Sequence, residues 1–196
     1  MLTAAILAGG RARRFGGRDK GALLVEGRSI RERQIAELAS ITSDILIVGA
    51  HPDVPSVAVR IVADRIPGCG PLGGIHTALL ESAGDITIVI ACDMPYVSAP
   101  LVAHLATLTA DADVVVPRTD RGYHPLCAAY TRGCLGPVAR RLAEGRLKMV
   151  DLFNDVRVRV VTAEELNAFG DVHRLLANVN SPADYLGLGA PHGHQL

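Results

Sequence analysis

The amino-acid sequence predicts a three-layer α/β/α domain built on a mostly parallel central sheet. Short β-rich runs recur along the chain with helical stretches between them, which is the alternation of an α/β architecture. Most of these runs are continuously apolar rather than alternating, as strands are when helices cover both faces of a sheet. Hydrophobic residues make up 49% of the 196 positions and charged residues 20%, so one sizeable core can form and the composition is not that of a disordered chain.

Taken in order, the first strand is Thr3–Leu7, which runs straight into a glycine-rich loop. A helix is expected over Ile30–Ser40, followed by strands at Ile45–Val48 and Val59–Val62. The next helix spans Gly74–Ser82, with GPLGG (Gly70–Gly74) as a tight loop leading into it. Ile86–Ile90 is a strand, and Ala99–Leu108 is a helix with Ser98 as its N-cap. After the strand Val114–Val116 comes YHPLCAAY (Tyr123–Tyr130), where a proline between aromatic flanks points to a hairpin or an edge strand. Leu135–Glu144 is helical and Val156–Val161 a strand. Ala163–Ala168 is a last helix, with Glu164 and Glu165 read as solvated. A single domain is expected over 1–186. Residues 187–196 read as a loosely ordered tail, and its His192 and His194 as part of an unstructured end rather than a metal site.

Charge and cysteine usage narrow the function. The formal net charge is zero, whereas a general nucleic-acid-binding protein carries a basic excess. The basic residues gather near the N-terminus, which suits a small anionic ligand. No apolar run approaches the roughly 20 residues that span a bilayer, and no secretory leader pattern is present, so a soluble, cytoplasmic protein is expected. Cys69, Cys92, Cys127 and Cys134 are too scattered for a CxxC pair or a zinc knuckle, and read as reduced, mostly structural thiols.

The chemistry concentrates in Ala5–Lys20, AILAGGRARRFGGRDK. Gly9, Gly10, Gly16 and Gly17 let backbone amides approach a ligand, and consecutive N–H groups in such a turn form an anion site. Arg11, Arg13, Arg14, Arg18 and Lys20 add charge-assisted bonds to phosphate oxygens. A strand end followed by this loop reads as a triphosphate cradle; the alternative is a flexible basic loop on a solvated edge. It is not a Walker A loop, since no Gly-Lys-Ser/Thr follows.

In parallel α/β sheets ligands bind outside the carboxyl ends of the strands, where Asp64 and Asp93 also fall. Asp93, in ACDMP, is placed to hold Mg²⁺, which takes few protein ligands; its alternative role, a helix cap, suits Ser98 better. Asp64 is either a ligand contact or half of an ion pair with Arg65. Lys20 reads as a compact charge suited to a departing phosphate; the alternative is a solvated surface lysine. Gly68, Gly70 and Gly73 mimic a dinucleotide fingerprint, with Asp93 at the ribose offset. No strand immediately precedes them, however, and Pro71 removes an amide from the loop. Neither GxSxG nor HExxH occurs.

LAGG at Leu7–Gly10, RRFGGRDK at Arg13–Lys20, GPLGG, CDMPY at Cys92–Tyr96 and NVNSP at Asn178–Pro182 occur in an order and over a length that resemble the molybdenum cofactor guanylyltransferases. That resemblance implies a Rossmann-like nucleotidyltransferase that transfers GMP from Mg·GTP to a phosphate of molybdenum-molybdopterin and releases pyrophosphate. It implies nucleotide contacts from Leu7, Ala8, Gly9, Gly10, Lys20, Asp64 and Asp93, catalytic roles for Lys20, Arg14 and Asp93, and Mg²⁺ on Asp93. Asn178, Asn180 and YHPLCAAY would approach the pterin. Molybdopterin-loading proteins and molybdoenzyme chaperones would be partners, with no nucleic acid and no membrane. The related cytosine branch tends to carry PAAG where this chain has LAGG, and Phe15 stands where methionine is common. A sugar-1-phosphate nucleotidyltransferase and a non-catalytic GTP sensor are the alternatives from other classes.

Overall fold

The computed structural model describes residues 1–8, 20–49, 59–181 and 184–185. The cradle glycines Gly9 and Gly10, Arg14 and the rest of that loop lie outside the described residues, as does the tail from 186 onward. In chain order the elements are β1 (Leu2–Leu7), a hairpin of β2 (Leu24–Val25) and β3 (Arg28–Ser29), α1 (Ile30–Ala39), β4 (Asp44–Val48) and β5 (Arg60–Val62). They continue with α2 (Gly70–Glu81), β6 (Ile86–Ala91), α3 (Ala99–Thr107), β7 (Val114–Thr119), β8 (Gly122–Tyr123) and β9 (Cys127–Thr131). The last are α4 (Leu135–Ala143), β10 (Val158–Val161), α5 (Ala163–Leu166) and α6 (Val172–Leu175).

Among the described residues the main sheet has the strand order β10-β7-β9-β6-β1-β4-β5, with β8 paired to β7. β1 is parallel to both β4 and β6, β4 to β5, and β10 to β7, whereas β9 runs antiparallel to β6 and β7. The mostly parallel sheet is therefore as expected. The period of two along β1 sends Ala4 and Ile6 to one face and Ala5 and Leu7 to the other. Leu38 of α1, Leu101 and Leu105 of α3, Leu166 of α5 and Leu175 of α6 cover the first face. Leu72, Ile75 and Leu79 of α2 and Val138 of α4 cover the second, which makes three layers.

Several boundaries and environments differ from the sequence reading. GPLGG is the first turn of α2 rather than a loop before Gly74, because Pro71 sits where a helix has no acceptor for an N–H and its ring suits the helical φ. YHPLCAAY is not an edge strand: Tyr123 belongs to the β8 hairpin, but Cys127–Tyr130 is fully buried between β6 and β7. Pro125 precedes that strand, so it removes no ladder bond, and its carbonyl accepts the Tyr130 hydroxyl at 2.7 Å.

Glu164 is exposed, but Glu165 is engaged. The Arg159 guanidinium and the Thr162 N–H of a capping box hold its carboxyl down at about 2. Ser98 occupies the N-cap of α3 without a side-chain bond; the Glu37 carboxylate accepts the Ala99 N–H at 2.9 Å instead. Cys69, Cys127 and Cys134 are free thiols, and burial pushes Cys127 and Cys134 up to about 12, as befits structural thiols. No helix among the described residues is long and apolar enough to cross a membrane.

Candidate active site

The connection order creates a crevice. From β1 the chain moves outward through β4 to β5, then returns to the opposite side of β1 to form β6. That reversal is a topological switch point, and ligands of open α/β sheets bind outside the strand carboxyl ends there. Leu7 and Ala8 end β1 on one side, and Cys92 and Asp93 follow β6 on the other. The ladder holds to the last residue, with Ala8 N–H donating to Val48 O at 2.9 Å and Cys92 N–H to Leu7 O at 3.2 Å.

Three groups far apart in sequence meet beside this crevice. The Lys20 ammonium donates to Asp93 Oδ2 at 2.8 Å and to Asn180 Oδ1 at 3.1 Å. The Asp93 carbonyl accepts Val179 N–H at 2.9 Å, which seats the C-terminal segment against the turn after β6. The Lys20 and Asp93 side chains keep only 20% and 13% of their exposure, so their attraction is weakly screened. The other Asp93 oxygen, Oδ1, is buried with no hydrogen-bond partner among the described residues. A buried carboxylate oxygen with unused lone pairs is costly unless something fills it, and a divalent cation is a suitable filler. No cluster of three metal-ligating side chains exists among the described residues.

Asp64 keeps different company. Its Oδ1 accepts Ile66 N–H at 3.1 Å and lies 3.2 Å from the Thr77 hydroxyl, so it shapes the turn into α2. The ion pair with Arg65 does not form, because that guanidinium reaches Glu81, with Nε 2.9 Å from Oε1. Gly74 explains part of GPLGG: a Cβ there would stand 3.2 Å from Leu7 Cδ1, so the glycine lets α2 press onto the end of β1. Asn178 and Asn180 are exposed on either side of buried Val179.

Two features escape the sequence reading. Gln34 is fully buried in α1 and donates to the carbonyls of Ala91 at 2.8 Å and Met94 at 2.9 Å, pinning the turn that carries Asp93. Its signal is a lone amide on the Ile30, Gln34, Leu38 stripe of an otherwise apolar face. His76 in α2 has a buried Nδ1 with no partner among the described residues, and burial holds its pKa below the ordinary value despite the nearby Asp64 charge.

Comparison with known proteins agrees with this arrangement. Residues 4–182 match the MobA-like NTP transferase domain. A "Probable molybdenum cofactor guanylyltransferase" of Pelotomaculum thermopropionicum is 37% identical over 94% of this chain and 90% of that protein. A "Molybdenum cofactor guanylyltransferase" of Desulfosudis oleivorans is 34% identical over 85% and 84%. The crystal structure of molybdopterin-guanine dinucleotide biosynthesis protein A from Archaeoglobus fulgidus shares the fold, with a TM-score of 0.82, 24% identity and 96% of each chain covered. The chain is therefore a nucleotidyltransferase and belongs to the MobA-like NTP transferase family, among the relatives of the molybdenum cofactor guanylyltransferases.

Proposed function

We infer that this nucleotidyltransferase moves GMP from GTP to the terminal phosphate of molybdenum-bound molybdopterin and releases pyrophosphate. The observation that carries the reading is the convergence of Lys20, Asp93 and Asn180 at the switch point of a chain whose relatives bear that name. LAGG at the end of β1 favours guanine over cytosine. An acceptor phosphate oxygen attacks the α-phosphorus of GTP, the bond to the α,β-bridging oxygen breaks, and pyrophosphate leaves with the electron pair.

The attacking oxygen is ionised near neutral pH, so no side chain need abstract a proton. The described residues at the cluster accordingly hold an ammonium, a carboxylate and an amide. Catalysis rests on alignment and electrostatics. Lys20, with three N–H donors, neutralises charge on the departing pyrophosphate. Asp93, whose Oδ1 is left without a partner among the described residues, would hold Mg²⁺, which when bound would supply positive charge against the triphosphate. Leu7 and Ala8, with Gly9, Gly10 and Arg14 of the cradle, receive the nucleotide, and Asp64 bounds it from the α2 side. Asn178 and Asn180 bring the C-terminal segment toward the pterin phosphate. Molybdopterin-loading proteins supply the acceptor and molybdoenzyme chaperones collect the product in the cytoplasm.

The test is GTP labelled at the α-phosphate, incubated with Mg²⁺ and molybdopterin-loaded carrier. Label should pass into the cofactor fraction as a guanine dinucleotide. Label that moves instead to a sugar phosphate overturns the acceptor assignment.

A further inference from the structure

The hairpin that follows Lys20 contains a residue in an unfavourable conformation. Its two-residue turn is Glu26-Gly27, with φ of +52° and +81°. Positive φ at both positions is the geometry that favours Asn-Gly or Asp-Gly, and a glutamate there is disfavoured by its Cβ. Nothing about the hairpin itself asks for glutamate.

The side chain supplies the reason. Glu26 Oε2 lies 3.1 Å from Arg33 of α1, and Oε1 lies 2.8 Å from Arg174 of α6 and 3.5 Å from the Tyr96 hydroxyl. The two guanidinium groups also sit over the Tyr96 ring, at 5.5 Å and 4.1 Å from its centroid. Arg33 Nε further donates to the Pro95 carbonyl at 3.2 Å. Beneath this network Val25, Ile30 and Val179 form a small buried cluster with Leu23, Tyr96 and Tyr185, separate from the two main cores.

Each arm of the network lies close in sequence to one member of the active cluster. Glu26 is six residues after Lys20, Tyr96 three after Asp93, and Arg174 six before Asn180. Short backbone bonds carry the connection, with Leu23 N–H donating to Lys20 O at 3.1 Å and Ile30 N–H to Leu23 O at 2.9 Å. Glu26 and Arg174 are both half exposed, and such pairs add little to global stability. A strained residue held by weakly stabilising contacts beside a reaction site is better explained by geometry than by stability.

We propose that Glu26 is a positioning residue, which latches the Lys20 segment to the Asp93 and Asn180 segments through Arg33, Tyr96 and Arg174. The proposal rests on the reading that Lys20 acts at the transferring phosphate. Glu26 touches no reacting atom; it fixes where the ammonium stands.

Glu26→Asn creates the favoured Asn-Gly turn but cannot reach both arginines, so turn quality and latch separate. The melting temperature should hold or rise, while kcat for pyrophosphate release falls about tenfold to a hundredfold, the scale of a misplacement near one ångström, with KM for GTP little changed. Glu26→Gln, which keeps the length and one of the two acceptor oxygens, should recover part of that loss. In a Lys20→Ala background Glu26→Asn should add nothing, because the latch works through that lysine. Full activity of Glu26→Asn, or a loss that multiplies with that of Lys20→Ala, overturns the latch. Unimpaired turnover of Lys20→Ala alone overturns the reading of the lysine on which it rests.

Discussion

Replacing Gly74 by alanine ties the fold directly to the nucleotide end of β1. An added Cβ would lie 3.2 Å and 3.4 Å from the two terminal carbons of Leu7, inside ordinary contact distance. Leu7 is only 7% exposed and its carbonyl already accepts the Cys92 N–H, so its freedom to yield is small. Overpacking of this kind costs about 1–3 kcal/mol. Alanine in a helix offsets that by about 1 kcal/mol relative to glycine. The net destabilisation is about 0–2 kcal/mol. For 196 residues the unfolding entropy is about 0.4 kcal/mol/K, so Tm should fall by up to about 5 °C. Calorimetry together with GTP saturation kinetics measures both consequences. The expected pattern is a lowered Tm and a raised KM for GTP, because Leu7 must shift at the site. A Tm raised by a few degrees with an unchanged KM would mean that Leu7 gives way freely and that the glycine is not needed for close approach.

Further outcomes follow from the same geometry. Asp93→Asn keeps the shape of the turn but removes the charge facing Lys20 and the cation, and turnover should fall by about 10²–10³ at ordinary Mg²⁺; an unchanged rate and an unchanged Mg²⁺ dependence would count against a metal role. Lys20→Ala should lower kcat more than it raises KM, and a change confined to KM would limit the lysine to ground-state GTP binding. His76 and His124 both titrate below the ordinary histidine value because burial disfavours the cation, with Arg121 adding to the effect at His124. The unfolded chain thus takes up protons first as pH falls through about 6.5, so stability is full above that pH and declines toward the lower folded values. Denaturant midpoints at pH 7.5 and 5.5 should show this decline, less steeply in the His76→Gln, His124→Gln double variant; a midpoint that rises on acidification would contradict it. Iodoacetamide at neutral pH should leave Cys127 and Cys134 unmodified in the native protein, since burial raises both thiols to about 12; rapid native labelling at Cys127 in a mass-spectrometric map would refute their structural role.

Much of this architecture is legible in local pattern. Continuous apolar runs mark β1, β4 and β6 because helices bury both faces of those strands, and no long-range information is needed to see that. The carboxyl-end rule brings Leu7 and Asp93 to one edge for the same reason. What local pattern misses depends on contacts across the chain. Pro125 draws Cys127–Tyr130 toward an edge assignment, whereas the ladder starts after the proline and leaves its carbonyl to Tyr130. Pro71 likewise looks like a breaker until α2 is seen to start before it. Asp64 has the position of a ligand residue but spends one oxygen on the Ile66 N–H and Thr77, a partner 13 residues away. Gln34 and Glu26 carry no motif at all. Arg33 aside, which stands near Glu26 in the chain, the partners that give them meaning are 57–148 positions distant, and only the folded chain brings them near.

The central claim is guanylyl transfer onto a molybdopterin phosphate at the Lys20, Asp93 and Asn180 cluster. Pyrophosphate release, measured first with GTP and then with CTP, each with Mg²⁺ and molybdopterin-loaded carrier, tests it most directly. Release with GTP alone, lost in Asp93→Asn, is the predicted result. A preference for CTP would keep the fold and the chemistry but contradict the guanine assignment, and silence with both nucleotides would contradict the claim as a whole.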